Sequence, residues 1–187
     1  AMMTILDRAD RAKRVRQTYI ICHKSDYMLL APVKGKFAIP DAIILQKRRV
    51  ETKFKKTVQI LRADSACWNK DKRTRDECDS TGTVQEYSNP GDKQQNGKIE
   101  RHIQTAKQTS DCIADHANTP PSMWPYADQY AVDILNHLPR KKDGKVSSRA
   151  DEWNGYHDEQ MLSLFRVFGC LAIVRKEPDQ VRMGEKQ

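Results

Sequence analysis

Apolar residues recur along the chain with two different periods, which predicts an α/β protein. Short apolar runs with β-prone residues predict five strands, at 2–6, 18–22, 27–33, 58–63 and 84–87. Longer stretches with apolar residues three or four positions apart predict three helices, one starting at Pro40, one centred on residues 99–114 and one over 122–138. A final apolar run predicts a strand over 170–174, and the basic stretch 140–145 is expected to be a solvated loop.

The pattern around residues 94–101 predicts a glycine-containing loop directly in front of a helix. Ile99, Ile103 and Ala106 then fall on one face of that helix. Glu100 lies beside this apolar stripe, in the expected first turn, where a carboxylate also interacts favourably with the helix dipole. A carboxylate in that position is either a capping charge or a metal ligand.

Two further carboxylates follow predicted strands. Asp64 comes directly after the apolar run 58–63, and Asp7 directly after 2–6. Ligands of open α/β sheets collect at the carboxyl ends of strands, so a metal-binding carboxylate is expected there. Asp10 competes with Asp7, although it does not follow an apolar run directly.

Composition and charge narrow the class of protein. The 187 residues carry a net charge of +8, which indicates an anionic partner, and nucleic acid before membrane. Neither a membrane-spanning run nor a signal-peptide pattern is visible. Five cysteines at irregular spacing are typical of free thiols in a reducing compartment. Cys112 and His116 are spaced as half of a zinc site, but no second pair at ligand spacing accompanies them.

Four stretches, in order, resemble the integrase catalytic cores of copia-type retrotransposons, members of the retroviral integrase superfamily. The stretches are 60–64 (ILRAD), 94–101 (QQNGKIER), 124–139 and 152–170. Asp64 and Glu100 have 35 residues between them, the separation typical of that family, and Asp7 precedes Asp64 by 57 positions. The resemblance implies an integrase core over residues 1–176, followed by a frayed tail over 177–187.

What the resemblance implies is specific. The fold is expected to be RNase H-like, with a five-stranded mixed sheet (three antiparallel strands, then two parallel) flanked by helices. The expected activity is metal-dependent DNA strand transfer, in which Asp7, Asp64 and Glu100 hold two Mg²⁺ or Mn²⁺ ions. The resemblance also implies a homodimer that binds the DNA of the element ends and of the target. The residues expected to contact DNA are Asn96, Lys98, Gln104 and Lys107.

The chain departs from the family pattern at three places, which keeps other functions open. Asp7 is not followed by Gly-Pro, Ser65-Ala66 stands where the family has Asn-Gly, and Lys93 stands where it has Pro. One alternative is a catalytically retired, effector-like module that binds nucleic acid or a protein. Another is a simple nuclease with the same metal site. The expected compartment is the nucleus or the cytoplasm, and a secreted protein stays open if a leader was removed.

Overall fold

A five-stranded mixed sheet forms the centre of the protein, seen in a computed structural model that describes residues 2–9, 16–63, 71–88 and 93–173. Of residues 4, 6–9, 16 and 93–96 it describes the backbone alone. The strands are β1 (Met2–Ala9), β2 (Arg16–Cys22), β3 (Met28–Val33), β4 (Ile60–Ala63) and β5 (Val84–Tyr87). They lie in the order β3-β2-β1-β4-β5.

The direction of the strands matches the prediction. Strands β1, β2 and β3 pair antiparallel to one another, whereas β4 and β5 run parallel to β1. The β2–β3 turn covers residues 23–27, at the end of the sheet where β1 and β4 begin, because the His23 amide donates to the Met2 carbonyl. The opposite end of the sheet is the carboxyl end of β1 and β4.

Helices cover both faces of this sheet. They are α1 (Ile39–Phe54), α2 (Lys72–Thr81), α3 (Lys93–His116), α4 (Trp124–His137), α5 (Arg149–Asn154) and α6 (Met161–Leu164). A two-stranded hairpin, β6 (Arg140–Lys142) and β7 (Lys145–Ser147), lies between α4 and α5. In the part of the chain that the structure describes, no helix is both long and apolar enough to cross a membrane.

Side chains of β2 alternate between two hydrophobic cores, one on each face of the sheet. Ile20 and Cys22 belong to a core shared with α1, whereas Tyr19 and Ile21 belong to a second core shared with α3 and α4. Successive side chains of a strand point to opposite faces of the sheet. A strand with apolar residues at both its odd and its even positions is therefore buried on both faces. The near-continuous apolar run 19–22 therefore marks a central strand.

The start of α3 corrects the sequence prediction. The helix begins at Lys93, so Gly97 lies inside it and Glu100 is its eighth residue, outside the first turn. One glycine costs a helix only about 1 kcal/mol relative to alanine. Burial of Ile99 and Ile103 against the sheet outweighs that cost. The helix dipole therefore no longer explains the position of Glu100.

Two other predictions are also wrong. The basic stretch 140–145 is not a loop but most of the β6–β7 hairpin, whose Asp143 and Gly144 both have positive φ. Residues 170–173 form no strand. The side chains of Leu171 and Ile173 are 87% and 90% exposed, because no described strand pairs with this segment.

Candidate active site

The sheet places the two strands that carry the predicted aspartates side by side. Ile5 of β1 lies opposite Ala63 of β4 in a parallel pair. Asp7 is two residues beyond Ile5 and lies opposite Thr18 of β2. Asp64 follows Ala63 in the sequence and lies outside the described residues, as do Asp10 and the Ser65-Ala66 pair. The two strands expected to carry these aspartates are therefore neighbours, while the side chain of Asp7 is not described.

Glu100 is exposed on α3 and has no hydrogen-bond or ion-pair partner among the described residues. Gln104 and Lys107 are exposed on the same helix, four and seven positions later. Residues at these spacings share one side of a helix. The three side chains thus form an open polar flank on α3, with a carboxylate that no cation of the described residues contacts at ion-pair distance.

Lys98, a predicted DNA contact, has partners within the protein. Its Nζ lies 2.5 Å from Oδ1 of Asp26 and donates to the carbonyl of His23 at 2.8 Å. This contact fixes α3 to the β2–β3 turn, at the end of the sheet where β1 begins and not at the end that carries Asp7. Asn96 lies in the first two turns of α3, and its side chain is not described.

A buried ionic cluster around Asp26 is the feature that the sequence did not reveal. The Asp26 side chain is 9% exposed and lies within 4 Å of cationic groups from two distant segments. Arg140 Nη1 is 2.5 Å from its Oδ2, and His102 Nε2 is 3.7 Å from its Oδ1. Burial alone raises the pKa of Asp26, but the contacts from His102, Arg140 and Lys98 outweigh it and hold the pKa well below its ordinary value.

No signal in the sequence pointed to this cluster, since the cationic residues lie between 72 (Lys98) and 116 (Lys142) positions after Asp26. Glu152 extends it, accepting from Arg140 at 3.1 Å and from Lys142 at 3.2 Å. Burial raises the pKa of Glu152, but Lys142 and Ser147 donate hydrogen bonds to its carboxylate and lower the pKa overall. The cluster joins the β2–β3 turn, α3, the β6–β7 hairpin and α5.

Metal binding depends on which donor side chains lie close together. In the described part of the chain, no three His, Cys, Asp or Glu side chains lie close enough to share a metal. Cys112 and His116 are both exposed, and in the described part of the chain they belong to no group of three possible metal ligands. The side chains of Asp7 and Asp64, two of the three predicted ligands, lie outside the described part. Carboxylates of aspartate and glutamate are the donors that Mg²⁺ prefers, so the predicted set matches that ion chemically.

The fold defines the general class of the protein. Three antiparallel strands followed by two parallel ones, with helices on both faces, constitute an RNase H-like fold. Among solved structures, the catalytic core domain of BIV integrase superimposes with a TM-score of 0.62 at 15% sequence identity. The match covers 81% of this chain and 92% of that domain. The expected fold is confirmed.

Sequence comparison identifies more specific relatives. The chain is 30% identical over 117 residues to the retrovirus-related Pol polyprotein from transposon RE2 of Arabidopsis thaliana. It is 27% identical over 122 residues to the corresponding polyprotein from transposon RE1 of the same plant. Each match covers 63% of this chain but only 8% of the relative's length. No protein-family model matches the chain. The resemblance to copia-type retrotransposon integrase cores is thereby confirmed: the homologues are retrovirus-related Pol polyproteins, and the fold is that of a retroviral integrase core.

Proposed function

We propose that this chain is the catalytic core of a copia-type integrase, which joins element DNA to target DNA by metal-dependent strand transfer. The observation that carries the proposal is the parallel pairing of β1 with β4, in register at Ile5 and Ala63. That register supports the proposal, because β1 and β4 run side by side toward the same end of the sheet, Asp7 belongs to β1, and Asp64 follows the last residue of β4 in the sequence. Glu100 supplies the third carboxylate from an exposed position on α3.

The proposed chemistry needs no nucleophile from the protein. Two divalent ions held by carboxylates supply activation of the attacking hydroxyl and stabilisation of the leaving oxygen. The chain's own part is to hold three carboxylates on rigid elements and to position DNA. Gln104 and Lys107 lie on the same flank of α3 as Glu100, where an amide and an ammonium group suit a DNA end and its phosphates. Asn96 remains a candidate contact, whereas Lys98 already pairs with Asp26.

The experiment is cleavage and joining of a labelled DNA duplex in the presence of Mn²⁺. Asp7→Asn, Asp64→Asn and Glu100→Gln each remove one negative charge with little change in shape. Each is expected to lower strand transfer by at least about 100-fold, since metal-held charge stabilisation contributes several kcal/mol to such reactions. Asp111→Asn, an exposed carboxylate further along α3, is the matched control and should retain activity.

The outcomes separate the rival functions. Activity that survives Asp7→Asn would remove Asp7 from the site and favour Asp10. Cleavage without joining would favour a simple nuclease. A chain that neither cleaves DNA nor binds Mn²⁺, measured by calorimetry, would contradict the proposal and favour the retired, effector-like module. The replacement of Asn-Gly by Ser65-Ala66 beside Asp64 supports that alternative, because alanine adopts positive φ less readily than glycine.

Partners and compartment complete the proposal. The DNA partners are the element ends and the target, and the chain acts as a homodimer in the nucleus or the cytoplasm. The net charge of +8 supports a nucleic-acid partner. Sedimentation velocity of the whole chain, with and without duplex DNA, tests the dimer.

A further inference from the structure

Lysines gather at the end of the sheet opposite the proposed carboxylate site. They come from three segments that are distant in sequence: the β2–β3 turn, the end of α1 with the connection to β4, and the β6–β7 hairpin. We call this set the basic end, and its members are Lys24, Lys53, Lys55, Lys56, Lys141 and Lys145. All are exposed except Lys56, which is partly buried.

Direct contacts show that the three segments are adjacent. Lys142 of the hairpin donates to the carbonyl of Lys24 at 2.7 Å, so the hairpin lies against the β2–β3 turn. The Tyr27 ring, next to that turn, stacks on Trp153 with 5.2 Å between ring centroids. The Lys56 ammonium lies 5.2 Å from the centre of the same Trp153 ring. The three segments that carry the lysines therefore meet beside one aromatic cluster.

The local carboxylates do not neutralise these lysines. Asp26 and Glu152 already form ion pairs with the cations of the buried cluster, which are Lys98, Arg140 and Lys142. Within the described residues, none of the six lysines of the basic end has a carboxylate at ion-pair distance. Asp143, exposed at the tip of the hairpin, is the one acidic residue of the β6–β7 turn. The buried ionic cluster around Asp26 is thus close to charge balance, and the basic end keeps an excess of positive charge.

We propose that the basic end binds the phosphate backbone of double-stranded DNA, at a place separate from the carboxylate site. Lysine ammonium groups contact phosphate as point charges and carry no base selectivity, so binding there is independent of sequence. Asp7 is five residues along β1 from Met2, which adjoins the β2–β3 turn, so its backbone lies about 17 Å from the basic end. That is about twice the screening distance of about 8 Å at physiological salt, so phosphate binding at the basic end is largely independent of the charge of Asp7.

The test measures binding without catalysis. A fluorescent duplex of arbitrary sequence is titrated with the whole chain in EDTA, and anisotropy gives the affinity between 50 and 200 mM salt, as is usual for counterion-release analysis. The triple variant Lys24→Gln/Lys55→Gln/Lys141→Gln should weaken binding at least tenfold. Its plot of log K against log salt should become shallower by about 2 to 3, since each lost phosphate contact removes about 0.9.

Two controls make the result specific. The variant with arginine at the same three positions keeps the charge and should bind as the parent chain does. A second triple, Lys72→Gln/Arg75→Gln/Arg166→Gln, lowers the net charge equally at exposed positions of α2 and after α6, outside the three segments of the basic end. Equal weakening in both glutamine triples, or none in the first, would overturn the proposal. Because EDTA abolishes metal-dependent chemistry, this result is independent of the outcome for strand transfer.

Discussion

Asp26 organises side chains that the sequence places far apart. It lies in the β2–β3 turn with φ of 56°, a left-handed conformation that aspartate and asparagine tolerate better than most residues. Its carboxylate faces Lys98 from α3 and Arg140 from β6, each at 2.5 Å. A buried carboxylate held by two cations fixes three elements relative to one another, and removing its charge leaves the largely buried Arg140 with Glu152 as its one remaining carboxylate partner among the described residues.

Asp26→Asn should therefore destabilise the fold by about 3 kcal/mol at pH 7. The pKa of Asp26 is lowered in the folded state, so the stability from its charge is fully present above the unfolded value of about 3.9, begins to fall below that value, and is lost as the pH falls through the lower pKa of the folded state. The difference between the parent chain and Asp26→Asn should be constant above about pH 5 and shrink steadily from about pH 4 to about pH 2. Urea unfolding across that range measures it.

Asp143→Asn is the matched control for that substitution. Asp143 also occupies a turn with positive φ, at 50°, but it is exposed. Its replacement should change the free energy of unfolding by less than about 0.5 kcal/mol. Equal effects of the two substitutions would mean that the Asp26 charge contributes nothing.

The candidate site was predictable from the sequence only in part. Asp64 and Glu100 stand out because they occur within family-like motifs at a regular separation, and the pairing of β1, which carries Asp7, with β4, which precedes Asp64 in the sequence, follows from the expected fold. The pairing of Lys98 with Asp26 was not predictable, because a lysine next to a motif glutamate has the same local pattern whether it faces DNA or a buried aspartate. Its partner is chosen by tertiary packing.

At the scale of elements, the sequence located the strands and long helices but not their ends. The apolar stripe of α3 was visible, whereas its start was misplaced because glycine usually marks a loop. The β6–β7 hairpin was missed although Asp143-Gly144 is a favoured two-residue turn. Its flanks are charged and lack the apolar alternation that normally identifies a hairpin, and they are instead held by Asp26 and Glu152.

The short helix α5 depends on its cap. Ser148 accepts a hydrogen bond from the Asp151 amide at 3.0 Å, and the Asp151 side chain accepts one from the Ser148 amide at 2.9 Å. Such a reciprocal pair satisfies amides that would otherwise lack partners. Because α5 carries both Glu152 and the buried Trp153, its cap supports the ionic cluster and the aromatic core together.

Ser148→Ala should lower the free energy of unfolding by about 1 kcal/mol, the usual effect of losing an N-cap side chain. Ser122→Ala, at an exposed position before α4, serves as the comparison and should be nearly neutral. Chemical denaturation measures both. A neutral Ser148→Ala would show that packing of Trp153 alone is enough to hold α5.

At the scale of the molecule, the arrangement of the sheet was predicted correctly because the apolar pattern and the family resemblance agree. The limits of the domain stay a prediction, since residues 174–187 lie outside the described part of the chain. Val181 and Met183 are the large apolar residues after position 176, too few to build a further packed element.

Deleting residues 177–187 should therefore leave the domain stable. The expected change in melting temperature is below about 2 °C, given that 1 kcal/mol corresponds to about 2–4 °C in a chain of this size. Differential scanning calorimetry of the full chain and of residues 1–176 measures it. A fall of more than about 5 °C would place the tail inside the domain.

The side chain of Asn136 has a consequence for how copies of this protein can associate. It accepts from the Met28 amide at 2.9 Å and donates to the Met28 carbonyl at 2.8 Å, on the outward side of the edge strand β3. Outward positions of an antiparallel strand recur every second residue, at Leu30 and Pro32, and proline has no amide hydrogen to offer. This edge therefore gives an incoming strand little to pair with, which protects β3 against edge-to-edge aggregation. A homodimer would therefore have to form through another surface, and not by joining two sheets at β3 into one.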